Sequence, residues 1–137
     1  MIGILILAHG ELGRGLVASA THVLGYQPTQ LEASRVDDRM STDDIRHGIE
    51  QALRRLDSGQ GVLILADIYG ATHTNLACGF LARGHIELVA GVNLPMLLRV
   101  LNYRHLDFAA LVAKALSGGP EGIVCPTPPA KAAGAGG

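Results

Sequence analysis

His9 and Asp67 each follow directly on a continuous apolar run, Ile2-Gly-Ile-Leu-Ile-Leu-Ala8 before the histidine and Val62-Leu-Ile-Leu-Ala66 before the aspartate. Runs of this kind are expected of strands buried on both faces. A carboxylate beside an imidazole has a definite chemical use. It accepts the proton of one ring nitrogen, fixes the tautomer, and leaves the lone pair of the other nitrogen free as a nucleophile. When that nucleophile takes up a phosphoryl group the ring becomes cationic, and the carboxylate stabilises the charge. A single histidine after a strand is ordinarily structural; the matching Asp67 is what singles His9 out.

Gly70-Ala71-Thr72-His73-Thr74-Asn75 leads from Asp67 into a helical pattern. Backbone N–H groups at a helix start, together with the Thr72 hydroxyl, suit phosphate oxygens. Gly10, Gly70, Ala71 and Thr72 are therefore the expected phosphate-contacting residues. Thr72 or Thr74 is expected to cap this helix, which carries Leu76, Ala77, Phe80 and Leu81 up to Gly84. His73 reads as an exposed first-turn residue. The glycine spacing and lysine of a Walker loop are missing, so no nucleotide site is indicated.

The other histidines offer no metal-ligand spacing. His22 and His47 fall on helical surfaces, and His85 and His105 lie in loops. Asp37-Asp38 reads as a solvated loop. No cofactor or resident metal is expected, and metal binding at His9 should be weak and surface-like, unless His73, which begins the helix after Asp67, swings toward His9 and brings two imidazoles and a carboxylate together.

The elements that must position His9 and Asp67 alternate along the chain. Glu11 to Leu24 has helical spacing, with Leu12, Leu16, Ala20, Val23 and Leu24 on one side and Gly25 as its stop. Leu31 to Val36 is a more polar strand, suited to an edge. Ser41 caps a helix with Asp43 and Asp44 first and Arg54 and Arg55 last, as the helix dipole favours. Ile86 to Gly91 is a fourth strand, followed by Asn93. Pro95 opens a helix with Met96, Leu97, Val100 and Leu101, and Asp107 caps a last helix through Leu116. Ile123-Val-Cys125 reads as a short final strand.

The expected fold is α/β: an open, mainly parallel four-stranded sheet with helices on both faces. With strand order 2-1-3-4, His9 and Asp67 meet at the switch point, where such sheets bind ligands.

The 137 residues fit one domain, taken as residues 1–125, followed by a Pro/Ala/Gly-rich tail at 126–137. The formal net charge is -1, with no basic stripe, which argues against nucleic-acid binding. The first apolar run is too short for a membrane span or a signal-peptide core. Cys78 and Cys125 read as buried thiols of a reducing compartment, so a cytoplasmic protein is expected.

Three segments in order resemble the mannose-type enzyme IIA domains of the bacterial sugar phosphotransferase system. They are Ile4-Leu-Ile-Leu-Ala-His9-Gly10, Gly61-Val-Leu-Ile-Leu-Ala-Asp67-Ile-Tyr-Gly70 and Ala90-Gly-Val-Asn93-Leu-Pro95-Met96-Leu97. The resemblance implies phosphorylation of His9 on Nε2, with Asp67 bonded to Nδ1. It implies the phosphorylated histidine-containing phosphocarrier protein as donor, and a separate IIB-type protein as acceptor or a regulatory use of the phosphate. It also implies a homodimer that exchanges Ile123 to Cys125. The family pattern has Gly-Gly-Ser/Thr-Pro where this chain has Gly70-Ala71-Thr72-His73. The alternative is a small tetrapyrrole metal chelatase, which also places His-Gly after a first buried strand; the Asp67 and Asn93 segments fit it poorly.

Overall fold

Ile4, Leu5, Ile6, Leu7 and Ala8 are all fully buried, as are Val62 to Ala66, so both apolar runs are central strands. The computed structural model describes residues 1–130. Its elements run β1 (Gly3–His9), α1 (Leu12–Leu24), β2 (Leu31–Val36), α2 (Thr42–Leu56), β3 (Val62–Ala66), α3 (Thr72–Cys78), β4 (Ile86–Ala90), α4 (Leu94–Asn102) and α5 (Phe108–Glu121). The strands form one sheet in the order β2-β1-β3-β4 with every pairing parallel. The more polar β2 lies at an edge, as expected.

Successive side chains of the central strands supply two cores. Ile4, Ile6, Leu63 and Leu65 pack with Ala20 of α1, Leu97 and Val100 of α4 and Leu111 of α5. Leu5, Leu7 and Ile64 pack with Ile45, Ile49, Leu53 and Leu56 of α2 and Ala77 of α3. Three helices thus cover one face and two the other. The first turn of α2 is tied by Ser41, whose hydroxyl accepts from the Asp44 N–H at 3.0 Å.

Several sequence expectations are corrected. Leu12 and Val23 are exposed, and Gly13 and Ala20 are the buried residues of α1. Small residues let this helix lie close to the sheet: a Cβ on Gly13 would stand 3.2 Å from the Ala33 methyl. The N-cap of α3 is Ala71, without a side-chain hydrogen bond; the Thr74 hydroxyl instead donates to the Ala71 carbonyl. That helix stops at Cys78, short of Phe80 and Leu81. Cys78 and Cys125 are exposed free thiols: Cys78 is on the solvent side of α3, and Cys125 lies beyond the last helix.

The last helix runs past Leu116 to Glu121. Gly118 and Gly119 lie in this extension and are buried where α5 meets α4. Added Cβ atoms there would lie 3.0 Å from Arg99 Cβ and 2.9 Å from Met96 Cε. Ile123 to Cys125 form no strand within this chain and are exposed. Residues 126–130 of the expected tail are exposed with no helix or strand, and its remainder, 131–137, lies outside the described residues. Among the described residues, no helix is long and apolar enough to cross a membrane.

Candidate functional site

The register of β1 on β3 pairs Leu7 with Ala66, so His9 and Asp67 leave the sheet side by side at its carboxyl end. The Asp67 carboxylate is the centre of the cluster they form. Its Oδ2 accepts from the His9 backbone N–H at 3.0 Å and faces His9 Nδ1 at 2.7 Å. Its Oδ1 accepts from the Ile68 backbone N–H at 2.8 Å and faces His73 Nε2 at 2.7 Å.

Burial alone would push the Asp67 carboxyl up. The hydrogen bonds from the His9 backbone, the His73 ring, the His9 ring and the Ile68 backbone outweigh it and hold the group well below the usual carboxylate range. An ionised carboxylate only accepts hydrogen bonds. The ring nitrogens facing it therefore carry protons: His9 donates through Nδ1–H and His73 through Nε2–H. This leaves the lone pair of His9 on Nε2.

Exposure divides the cluster by task. The His9 side chain is 52% exposed, Asp67 11% and His73 1%, so only the His9 ring is open to an incoming group. The rings of His9 and His73 meet edge to face, with centroids 4.4 Å apart. Sequence periodicity missed His73, placing it in solvent. Gly70, with φ of +87°, turns the chain so that the first turn of α3 lies back over the end of the sheet. Its position at the start of the helix after Asp67 was the signal that it could instead turn toward His9, as it does.

An open cavity of about 540 Å³ adjoins His9 and His73, lined also by Gly70, Ala71, Thr72, Asp37 and Asp38. Three of the four expected phosphate-contacting residues thus share a depression with His9. Gly10 does not line it; its N–H is taken by the Val36 carbonyl at 2.8 Å. Asn93 has a structural task, accepting from the Met96 N–H at 2.9 Å and donating to the Gly119 carbonyl at 3.1 Å. His22, His47 and His105 are exposed on the surface, and His85 pairs with Asp57 at 2.6 Å.

The family model described as the PTS system fructose IIA component matches residues 3–116 of this chain. The chain belongs to that family. The mannose-specific EIIAB component of Escherichia coli (strain K12) is 34% identical over 125 residues, covering 89% of this chain and 38% of that protein. This chain therefore spans well under half the length of that relative. The fructose-specific EIIA component of Bacillus subtilis (strain 168) is 34% identical over 114 residues, 82% of this chain and 77% of that protein. In solved structures, the phosphotransferase system component EIIA from Streptococcus agalactiae superposes with a TM-score of 0.81 at 26% identity, covering 91% of this chain and 97% of that one. That superposition shows the fold of a phosphotransferase-system IIA component, and the family match leaves the chelatase alternative without support.

Proposed function

We propose that this IIA chain carries a phosphoryl group on His9 Nε2. The observation that carries the reading is the 2.7 Å contact between His9 Nδ1 and Asp67 Oδ2. It fixes the tautomer that turns a lone pair outward on a half-exposed ring. The donor is the phosphorylated histidine-containing phosphocarrier protein and the acceptor a separate IIB-type protein. A role in sugar uptake is supported by relatives named as mannose- and fructose-specific phosphotransferase-system components.

In the transfer, the lone pair of His9 Nε2 attacks phosphorus in line with the donor's phosphorus–nitrogen bond. That bond breaks and its electron pair returns to the donor imidazole. The protein's part is mainly to position groups and stabilise charge. His9 becomes a phosphorylated imidazolium, and Asp67 bonds its remaining N–H. The first turn of α3 has no side-chain cap, so its N–H groups are available to phosphate oxygens beside Gly70, Ala71 and Thr72. Exposed Ile68 and Tyr69, next to Asp67, offer apolar surface for the protein partners. The working form is a cytoplasmic homodimer.

The test is incubation with phosphoenolpyruvate, enzyme I and the phosphocarrier protein. Acid-labile, base-stable phosphate should form on the wild type and be absent from His9→Ala. Equal labelling of that variant overturns the assignment.

A further inference from the structure

His9, Asp67 and His73 bring two imidazole nitrogens and a carboxylate oxygen within 4.8 Å of one another. Phosphoryl transfer as described uses His9 and Asp67 and gives the His73 ring no contact with the reacting atoms. We propose that the three side chains form a binding site for a divalent transition ion of the zinc class, and that an ion there and a phosphoryl group on His9 exclude each other. The exclusion rests on the carrier reading; the site itself does not.

The donor set selects the class of ion. Two imidazoles with one carboxylate suit zinc, cobalt(II) or nickel(II), whereas magnesium and calcium prefer oxygen alone. Zinc holds nitrogen and oxygen ligands at roughly 2.0–2.2 Å, which sets tetrahedral donor atoms about 3.3 Å apart. Here Asp67 stands 2.7 Å from each imidazole, through a different oxygen for each, so these contacts open by a fraction of an ångström, while the two imidazole nitrogens, within 4.8 Å of each other, close toward about 3.3 Å as the half-exposed His9 ring shifts. Three ligands leave a fourth position for water.

The site is also held in place. Asp67 follows a central strand and is fixed by backbone N–H groups of His9 and Ile68. His73 is enclosed in the first turn of α3 and cannot swing into solvent without opening the core there. Half-exposed His9 and the adjoining cavity give an ion a way in, and Asp38 on the cavity wall adds negative charge, while Asp37 there is paired with Arg35 at 3.8 Å. His73 stands where the family pattern has proline, so the third ligand belongs to this chain rather than to the family.

Proton bookkeeping gives the exclusion. An ion takes the lone pairs of His9 Nδ1 and His73 Nε2, the two atoms that now carry protons toward Asp67. Each neutral ring keeps its proton by passing it, through water, to its other nitrogen; Asp67 stays ionised and no net proton is released. His9 then carries its proton on Nε2, and the nucleophilic lone pair is gone. Conversely, phosphorylated His9 keeps its proton on Nδ1 and offers the ion nothing.

The experiment is calorimetric titration of the metal-free, unphosphorylated full chain with zinc chloride. Wild type and His22→Ala, a surface control, should bind one ion per chain. His9→Ala and His73→Ala should bind about 100-fold more weakly or worse, since removing even an outer-shell partner costs 10–100-fold. Circular dichroism melts check both variants; if His73→Ala does not fold, His9→Ala carries the comparison. Cobalt(II) should give the visible d–d bands of a low-symmetry nitrogen/oxygen site in wild type and His22→Ala, and in neither His9→Ala nor His73→Ala. Equal zinc affinity in wild type and His9→Ala overturns the site. Zinc binding that is undiminished after phosphorylation overturns the exclusion. Intact zinc binding in a protein that never becomes phosphorylated supports the site and overturns the carrier reading.

Discussion

His9 and His73 stand edge to face, 86° between ring planes, with the Asp67 carboxylate bonded to both. One oxygen serves each ring. Because a carboxylate accepts on both sides, both imidazoles donate to it at once. An amide at this position can accept on one side only.

That asymmetry gives a first prediction. In Asp67→Asn, one imidazole must face an N–H and turn its proton to the other nitrogen. The fraction of His9 with a free Nε2 falls, and the phosphorylated ring loses its anionic partner. A charge-assisted hydrogen bond is worth roughly 1.5–3 kcal/mol, about one to two decades in rate if fully expressed in the transition state. Rapid-quench transfer from the phosphocarrier protein should show that slowing with an unchanged circular dichroism spectrum. Wild-type rates would reduce Asp67 to a structural role.

On the proposed carrier reading, His73 acts on transfer through Asp67, as a positioning residue. His73→Ala leaves Oδ1 with one donor fewer and frees the carboxylate to turn from His9. A loss of about 1.5 kcal/mol corresponds to roughly tenfold slower transfer, in kcat rather than in KM for the donor. His73→Gln restores an N–H donor and should recover most of the rate. A rate loss that glutamine does not rescue would mark His73 as packing alone.

Acid stability follows from the same carboxylate. Asp67 titrates lower in the folded protein than in the unfolded chain, so its stabilising contribution is complete above the ordinary carboxylate pKa of about 3.9. As pH falls below that value, the unfolded chain takes up the proton first and the contribution is lost on the way down to the folded pKa. Asp57 adds to the effect in the same direction, held low by the Gly59 backbone N–H and by His85. Urea midpoints measured from about pH 7 to about pH 2 should fall more steeply for wild type than for Asp67→Asn. Parallel curves would exclude Asp67 from the acid transition.

What the sequence disclosed, and what it hid, follows from how each feature is encoded. His9 and Asp67 were legible because each ends an apolar run too continuous for anything but a central strand, and the doubly wound pattern makes those two strands neighbours. His73 was hidden because helical periodicity assigns a first-turn residue to solvent, while its burial depends on a positive-φ turn at Gly70 and the angle at which α3 meets the sheet. The last helix was ended too early, at Leu116, for a related reason. Glycine has low helix propensity, but close packing against Arg99 and Met96 of α4 favours residues without a Cβ at Gly118 and Gly119. Cys78 read as buried on residue type alone, although its helix face looks outward.

Two glycines separate conformational strain from close approach. Gly61 has φ of +91°, and a Cβ there would lie 2.3 Å from the His85 carbonyl oxygen, which already binds the Val62 N–H. Gly84 has φ of +76° with open space around it. Gly84→Ala should cost about 1–2 kcal/mol, the left-handed penalty alone. Gly61→Ala should cost that and roughly 1–3 kcal/mol more for overpacking. Denaturant unfolding measures both, and equal losses would remove the close-approach argument.

The final prediction concerns the open edge of the sheet. β4 is the terminal strand on its side, and among the described residues only its first residue is covered, by the antiparallel bridge between Ala82 and Ile86. An uncovered edge invites pairing with another chain. Beside it lies an apolar groove formed by Val89, Ala90, Leu116, Gly119 and Ile123. Just past the end of α5, Ile123 and Val124 are 78% and 70% exposed, more than apolar residues of that size favour in an isolated chain. Reciprocal exchange of residues 123–125 between two chains would bury these side chains and satisfy both edges under a two-fold axis. Sedimentation at micromolar concentration should give twice the chain mass. Truncation before Ile123 should shift the protein to monomer, whereas truncation after Cys125 should leave the dimer intact because the removed residues carry almost no apolar bulk. A full-length chain that sediments as a monomer, or a truncation before Ile123 that remains dimeric, would show that the exchange does not occur.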